Sequence, residues 1–560
     1  MSDLKREGKY PKGLFFLVFT EFWERFGYYL MIGIFFLYMT TDKAEGGFGW
    51  ENGDASDIFG TFIALAYLTP FMGGLLADLK LGYRFSITLG GILMGIGYCM
   101  LAIPEKWAFY TALLIMVVGN GFFKPNISTL LGNLFNDPRY RDKKDTGYNI
   151  FYMGINIGAF ICNFIAAIMR NKIGWHGAFL TAGIGMFVGV ITFWIGMKHY
   201  KHVDVRKEPK PEDKPLLMQF VKVLLAGAAF AALGWILPTA LWGEGDKAYT
   251  IMGSKSTDAF FMFCIPVIYF YASIYKKANT EERKPLGTMF TIFIIVILFW
   301  AIFKQNATAL TTYAQHYTDR ESPPAITAIT GKLGFSEKLV ADNKEVNQVD
   351  EQFRVIKDTS GKPIKCIDYP VYFKNLDASK IPPKGESVSL VNTEIFQSVN
   401  PFFVVVLTPL IIAFFAFMRR RYKEPTTASK IAYGLLISAL STLIMVAAVY
   451  HTNNGIHKAS AWWLIASYGV ITVGELLLSP MGLSMVSKLS PVRLTALMMG
   501  GWSLATSMGN KLSGVLAKNW DKFDNKANYF WLNFALLMFA FLIMMLLLKR
   551  LNRVFKESAK

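Results

Sequence analysis

Charged residues are scarce in this 560-residue chain. Asp, Glu, Lys and Arg make up 18% of it, whereas an ordinary soluble domain carries about a quarter. Cysteine is also rare: the four cysteines show neither metal-ligand spacing nor a disulfide framework, which argues against a metal centre and a disulfide-rich scaffold. No HExxH, GxSxG or phosphate-binding loop motif occurs, so we expect no enzyme of those classes and no catalytic residues.

Apolar residues are abundant instead. They make up 53% of the chain, and 15% of the residues are aromatic, which excludes a disordered or collagen-like chain. About fourteen apolar runs of membrane-spanning length occur between residues 13 and 549. They are too long and too continuously apolar for barrel strands. The sequence therefore predicts an all-α polytopic membrane protein of about 14 transmembrane helices.

The excess of basic residues, +18 in net charge, lies in the short segments between the apolar runs. This distribution indicates orientation in a membrane rather than nucleic-acid binding, because cytoplasmic loops are rich in Lys and Arg. With the N-terminus inside, every second segment is basic along the whole chain. We therefore predict a multi-pass protein of the plasma (cell inner) membrane with both termini cytoplasmic. The polar N-terminus contains no cleavable signal peptide, so the first run is expected to remain as a helix.

Two polar segments divide the chain. Residues 198–215 form a charged linker, and residues 314–395 form a long exterior insert with β-like stretches at 353–358 and 369–373. We predict an N-terminal six-helix bundle (1–197), a linker with two additional helices (198–285) and a C-terminal six-helix bundle that carries the insert (286–560). This six-plus-six layout is typical of a two-bundle transporter.

Charges within the spans indicate function, because each is costly in a membrane unless it is paired or hydrated. Glu21, Glu24, Arg25 and Tyr28 share one face of the first helix. Their proximity predicts a cluster whose protonation responds to a neighbouring charge, and the alternative is a structural ion-pair cluster. Near the end of another span, Lys511 is expected to extend to the interface.

Further polar side chains lie in the middle of other spans. Lys124 is far from both ends of its helix. Glu475 shares a helix face with Ser479 and needs a cation, and Lys124 is the obvious one. Tyr67 is the polar residue of an otherwise apolar helix, although a structural role is equally consistent with it.

Several short motifs occur along nearly the whole chain except the insert. They lie at residues 21–29 (EFWERFGYY), 73–78 (GGLLAD, followed by Gly82 and Arg84), 119–126 (GNGFFKPN), 151–159 (FYMGINIGA), 397–401 (QSVNP), 474–480 (GELLLSP) and 498–502 (MMGGW). Together these motifs resemble those of the proton-dependent oligopeptide transporter family, a branch of the major facilitator superfamily.

The resemblance implies a major facilitator fold. It further implies a transporter that takes up di- and tripeptides by alternating access, with protons as the coupling ion and no other cofactor. It also implies a Lys124–Glu475 pair across the two bundles. Asp78 and Arg84 would be gate or packing residues, and Glu21, Glu24 and Arg25 would couple protons. The expected substrate site comprises Tyr28, Tyr67, Lys124, Tyr152, Asn156, Trp300, Lys304, Asn400, Glu475, Ser479 and Trp502.

The chain departs from the family pattern at two positions. Ile32 stands where an arginine is usual, and Lys304 stands where an acid is usual. With Glu21, Glu24 and Glu475 against Arg25, Lys124 and Lys304, the intramembrane charges sum to zero. Two hypotheses follow: proton coupling has moved to Glu21 and Glu24, or it is weak or absent and the substrate is another small zwitterionic or anionic solute. A membrane-embedded enzyme or receptor is a remote alternative.

Overall fold

The computed structural model of the chain describes residues 10–204, 213–242, 250–321, 331, 333–421, 424–491 and 494–557. Within them lie fourteen helices of 18 residues or more, in agreement with the fourteen apolar runs. Eleven candidate spans meet criteria of length and hydropathy for crossing a membrane. The long helices are α1 (Lys12–Thr40), α2 (Asn52–Leu76), α3 (Tyr83–Met100), α4 (Lys106–Leu134), α5 (Lys144–Ile173), α6 (Trp175–Gly196), α7 (Asp213–Trp242), α8 (Lys255–Lys277), α9 (Thr280–Phe303), α11 (Val399–Arg421), α12 (Thr427–His451), α13 (Ala461–Leu489), α14 (Thr495–Lys518) and α15 (Lys526–Glu557), with the short α10 (Ala309–His316) after α9.

The helices form two groups with separate apolar cores. Helices α1–α6 bury one continuous cluster of aromatic and aliphatic side chains, and α9 with α12–α15 buries another. Helices α7 and α8 pair with each other as a hairpin, and a small third cluster joins α8 to α2 and α14. The domain boundaries expected from the sequence remain a prediction, and part of the 198–215 linker lies outside the described residues.

The apolar run at 287–313 is broken where one continuous helix was expected. Helix α9 ends at Phe303, one 3-10 turn covers Lys304–Ala307, and α10 begins at Ala309. Polar side chains satisfy a carbonyl released by the break: Gln397 Nε2 and the Tyr468 hydroxyl both donate to the oxygen of Asn306, at 2.7 and 3.1 Å. Because of this break, Lys304 lies at a helix end inside the membrane span.

The insert forms a small β-containing subdomain on one face of the helices. Its strands are β1 (Thr318–Asp319), β2 (Ser336–Val340), β3 (Lys344–Asn347), β4 (Lys365–Asp368) and β5 (Ser387–Val391). Strands β2 and β5 are antiparallel, β3 and β4 are antiparallel, and β1 runs parallel to β6 (Ala459–Ser460).

The β-like stretches expected in the insert form no such strand. Residues 353–358 make only isolated bridges, because positive φ at Phe353 turns the chain there. Pro370 then starts a 3-10 turn over Val371–Asn375. Part of the 314–395 segment lies outside the described residues. We call the face that carries the insert the insert side, and the opposite face the termini side.

Candidate functional site

Three charged side chains of α1 form a closed cluster. Arg25 Nη2 donates to Glu24 Oε1 at 2.7 Å, Arg25 Nε also donates to Glu24, and the same nitrogen lies 3.2 Å from Glu21 Oε1. All three side chains are buried, and the Arg25 guanidinium lies 5.3 Å from the ring centre of Tyr28. Glu21 Oε2 has no hydrogen-bond partner among the described residues. The cluster therefore contains one spare carboxylate oxygen, and its two acids outnumber its one cation.

Two lysines from opposite groups of helices meet at one aromatic ring. The ring of Tyr67 on α2 lies 4.1 Å from Lys124 Nζ and 5.4 Å from Lys304 Nζ. Lys304 Nζ is also 5.6 Å from the ring of Trp300. Neither ammonium makes an ion pair or hydrogen bond to any residue in the described ranges. The negative face of an aromatic ring attracts cations, but it leaves both positive charges available to an anion.

Glu475 lies on α13 and is held by an amide. Asn400 Nδ2 on α11 donates to Glu475 Oε2 at 3.1 Å and to Thr472 Oγ1 at 2.8 Å. The expected Lys124–Glu475 ion pair is not formed: within the described part of the chain no cation lies within ion-pairing distance of this carboxylate. Glu475 is half-buried, so it is accessible to an incoming cation.

The other expected site residues divide into exposed and packed positions. Tyr152 on α5 is 55% exposed, and its carbonyl oxygen accepts a hydrogen bond of 2.9 Å from the half-buried Asn156. Ser479 is half-buried on α13. Trp502 is buried against Gly482 and Phe293, where it packs α14 on its neighbours.

Two further aromatic residues are buried close to the charged groups. Tyr28 is buried beside Arg25, and Trp300 is buried beside Lys304. The indole nitrogen of Trp300 has no hydrogen-bond partner among the described residues. These two rings therefore pack beside Arg25 and Lys304 and make no hydrogen bond to them in the described part of the chain.

Arg84 and Asp78 lie at the termini-side end of α2 and α3. Arg84 Nε donates to Asp204 Oδ2 at 2.7 Å, and the other oxygen of that carboxylate accepts from the backbone nitrogen of Tyr83 at 2.8 Å. This pair ties α3 to the chain after α6, within one group of helices. Asp78 lies in the turn Ala77–Leu81, and its side chain lies outside the described part.

The polar contacts between the two groups of helices, where they are described, lie in the insert half of the spans. Lys511 Nζ on α14 donates to Asp57 Oδ1 on α2 at 2.7 Å, and Ser507 Oγ donates to the carbonyl of Ala64 at 2.6 Å. On the other flank, Asn163 Nδ2 donates to Ser398 Oγ at 3.1 Å. The space around Tyr67 is therefore closed toward the insert side.

Sequence reasoning missed the pair Asp57–Lys511, which we call the outer ion pair. Lys511 was expected to extend to the interface, but its side chain is 0% exposed and paired. The signal was present: a lysine within a span needs a partner. Asp57 lies near the start of α2, at the end of a span, so the sequence did not single it out as that partner.

The arrangement defines a class of protein: a helical membrane transporter in which unpaired charges from two helix groups meet at Tyr67. We call the region around Tyr67 the central space. A family model described as the POT family matches residues 84–322 and 384–532. The chain therefore belongs to the POT family, as the sequence motifs predicted.

Similar proteins span almost the whole chain. The "Uncharacterized transporter YclF" of Bacillus subtilis is 30% identical over 92% of this chain and 89% of its own. The "Di-/tripeptide transporter" of Lactococcus lactis subsp. lactis is 29% identical over 90% of this chain and 89% of its own. A crystal structure of a peptide transporter POT in complex with sulfate superposes with a TM-score of 0.74 at 27% identity, covering 98% of this chain and 97% of that chain. These matches confirm the predicted fold class.

Proposed function

We propose that the chain is a secondary active transporter that takes up di- and tripeptides by alternating access across the plasma membrane. The single observation that carries this proposal is the set of unpaired charges around Tyr67. Lys124, Lys304 and Glu475 come from both helix groups, and none of them has an ion-pair partner within the described ranges. The "Di-/tripeptide transporter" relatives and the neighbouring crystal structure of a peptide transporter POT with alafosfalin support the substrate class.

A zwitterionic peptide is complementary to these charges. Its ammonium would bind Glu475, whose second oxygen does not take part in the Asn400 hydrogen bond. Its carboxylate would lie between Lys124 and Lys304, where charge-assisted hydrogen bonds are strong. The exposed ring of Tyr152 would bound a side-chain pocket that tolerates many residues.

Uptake of a labelled dipeptide into proteoliposomes tests the proposal. Lys124→Ala and Glu475→Gln should each abolish uptake, because Glu475→Gln removes the charge that faces the peptide ammonium and Lys124→Ala removes one of the two cations that would hold its carboxylate. Lys172→Ala and Glu351→Gln make the same chemical changes at exposed positions and should transport normally. Uptake at the wild-type rate by either site variant would refute this assignment of the substrate site.

We further propose that protons couple through the Glu21–Glu24–Arg25 cluster. Two acids face one guanidinium, and Glu21 Oε2 is buried without a hydrogen-bond partner among the described residues. A proton on Glu21 would remove the cluster's net negative charge. Uptake should therefore rise with an imposed pH gradient, and Glu21→Gln should abolish that rise while counterflow of labelled peptide continues.

A second candidate substrate is an anionic solute or peptide moved with little or no proton coupling. The observation in its favour is that the ammonium groups of Lys124 and Lys304 outnumber the carboxylate of Glu475, and none of the three has an ion-pair partner in the described part of the chain. Competition by Ala-Glu and Ala-Gln, which have similar shapes, separates the two candidates. Much stronger competition by Ala-Glu, together with uptake that ignores the pH gradient, would favour the anionic substrate.

A further inference from the structure

The polar end of the α7–α8 hairpin contacts the outer ion pair. Ser254 caps α8, and its hydroxyl lies 2.8 Å from Asp57 Oδ1. Ser256 and Thr257 also donate to the Asp57 carboxylate. The hairpin therefore hydrogen-bonds to the outer ion pair that links the two helix groups, although most of α7 is exposed on the outside of the protein.

A cavity of about 690 Å³ lies beside this junction, between the hairpin and helices α2 and α4. One wall is apolar and is formed by Ile58, Phe62, Leu65, Leu113, Leu114 and Val117. Leu114 is 64% exposed, so the wall continues onto the surface that faces lipid. An acyl chain lying in this space would cover apolar surface of both α2 and α4.

The insert-side end of the cavity is basic. Lys106, Lys255 and Lys518 line it, with Asp54 as the one carboxylate that is not already held by several hydrogen bonds. Lys518 Nζ donates to the carbonyl of Gly253 at 2.9 Å. Lys106 and Lys255 make no hydrogen bond or ion pair to a residue in the described ranges. The end of the cavity therefore carries two uncommitted cations.

Aromatic side chains also line the cavity, and on α4 Tyr110 lies between Lys106 and Leu113. Trp50, Tyr110 and Trp235 line the cavity, and the last two are half exposed. Tryptophan and tyrosine are enriched where a membrane meets water, because their rings are apolar and their polar atoms are wet. The order of apolar wall, aromatic ring and ammonium group follows the order of parts in a phospholipid.

We propose that this cavity binds one anionic phospholipid of the insert-side leaflet. Its phosphate would accept hydrogen bonds from Lys106 and Lys255, and one acyl chain would lie along Leu113, Leu114 and Val117. The bound lipid would fill the space between the hairpin and α2, beside the outer ion pair. It would therefore contact the closed insert side and not the substrate site around Tyr67. Basic pockets between transmembrane helices bind anionic headgroups in the same way.

Native mass spectrometry of the full-length protein in neutral detergent tests the proposal by titration with phosphatidylglycerol, phosphatidylcholine of the same chains, and glycerol phosphate. We expect one phosphatidylglycerol per chain, bound at least tenfold more tightly than phosphatidylcholine. Lys106→Gln with Lys255→Gln should weaken this binding roughly 25-fold, at about fivefold for each lysine near the membrane surface. The control pair Lys172→Gln and Lys338→Gln removes the same charge from exposed positions on the insert side and should bind as the wild type does.

Three results would overturn the lipid site. They are equal binding of the two phospholipids, an equal loss in the control pair, and binding of glycerol phosphate as tight as that of the whole lipid, which would indicate a site for free phosphate. Leu114→Trp fills part of the cavity beside the apolar wall and leaves the basic end intact. It should therefore weaken the binding of phosphatidylglycerol without changing the binding of glycerol phosphate. Dipeptide uptake by the same variants in proteoliposomes is a separate readout, so the two proposals can fail independently.

Discussion

Loss of either member of the outer ion pair should open the insert side, and the structure gives different magnitudes for the two. In Asp57→Asn the ammonium of Lys511 stays fully buried and loses its ion-pair partner, and the neutral oxygens of Thr61, Ser256 and the new amide cannot balance its charge. An uncompensated buried charge costs about 4 kcal/mol. If this penalty is present only when the insert side is closed, the ratio of closed to open molecules falls roughly a thousandfold.

The reverse change should be milder. In Lys511→Met the carboxylate of Asp57 keeps the hydroxyl donors of Ser254, Ser256 and Thr257. We therefore expect a loss of about 2 kcal/mol, equivalent to roughly 30-fold in the same ratio. Combining Asp57→Asn with Lys511→Met removes both charges, so the double variant should be less open than Asp57→Asn alone.

Double electron–electron resonance between two spin labels measures the ratio of closed to open molecules directly. Spin labels at Glu105→Cys and Lys522→Cys occupy exposed insert-side positions, one in each helix group, once the four native cysteines are replaced. A longer distance should dominate in Asp57→Asn. Lys518→Met is the matched control, because this lysine lies on the same helix but, among the described residues, donates to a backbone carbonyl and to no carboxylate. An unchanged distance distribution in Asp57→Asn, or the same opening in Lys518→Met, would refute the reasoning.

Three more expectations concern the central space and the helix contact. Asn400→Ala removes the 3.1 Å hydrogen bond that orients Glu475, and it should raise the KM for zwitterionic dipeptides about tenfold, equivalent to about 1.4 kcal/mol; an unchanged KM would contradict this. Lys304→Glu should make uptake depend more steeply on an imposed pH gradient, and an unchanged dependence would show that this position does not affect coupling. Gly60→Ala places a Cβ 2.8 Å from the Cα of Gly514, so it should hinder closure of the insert side and lengthen the same spin-label distance; a wild-type distance would count against a close helix contact there.

Much of the helix count was predictable, because a helix needs about 20 mostly apolar residues to cross a membrane and such runs are visible in the sequence. The proximity of Glu21, Glu24 and Arg25 was predictable for a similar reason, since helical periodicity puts them on one face. The meeting of Lys124 and Lys304 at Tyr67 was not predictable from periodicity, because the three side chains lie on different helices.

The breaks and long-range pairs were harder to predict. Within residues 287–313 the turn at Lys304–Ala307 coincides with a polar run at 304–306, but such a run alone does not distinguish a turn from polar side chains on a continuous helix. The turn depends on donors more than 90 residues away in sequence, from Gln397 and Tyr468. The Lys124–Glu475 pair was expected because a buried carboxylate needs a cation and because the family resemblance implies this pair, but the sequence does not show that Asn400 donates to Glu475 instead.

The attachment of the insert determines how it would move in a rocking transporter. Toward the loop between α1 and α2 it makes exposed or half-buried polar contacts, such as Lys344 to Glu45 at 3.0 Å and Asn347 to Asp42 at 2.7 Å, and exposed contacts break at little cost. Toward the C-terminal helices, backbone pairing of β1 with β6 fixes it immediately before α13. The subdomain should therefore move with the C-terminal half, and its release from the N-terminal half in each cycle must also break the ion pairs of Arg170 on α5 with two glutamates, Glu337 and Glu394.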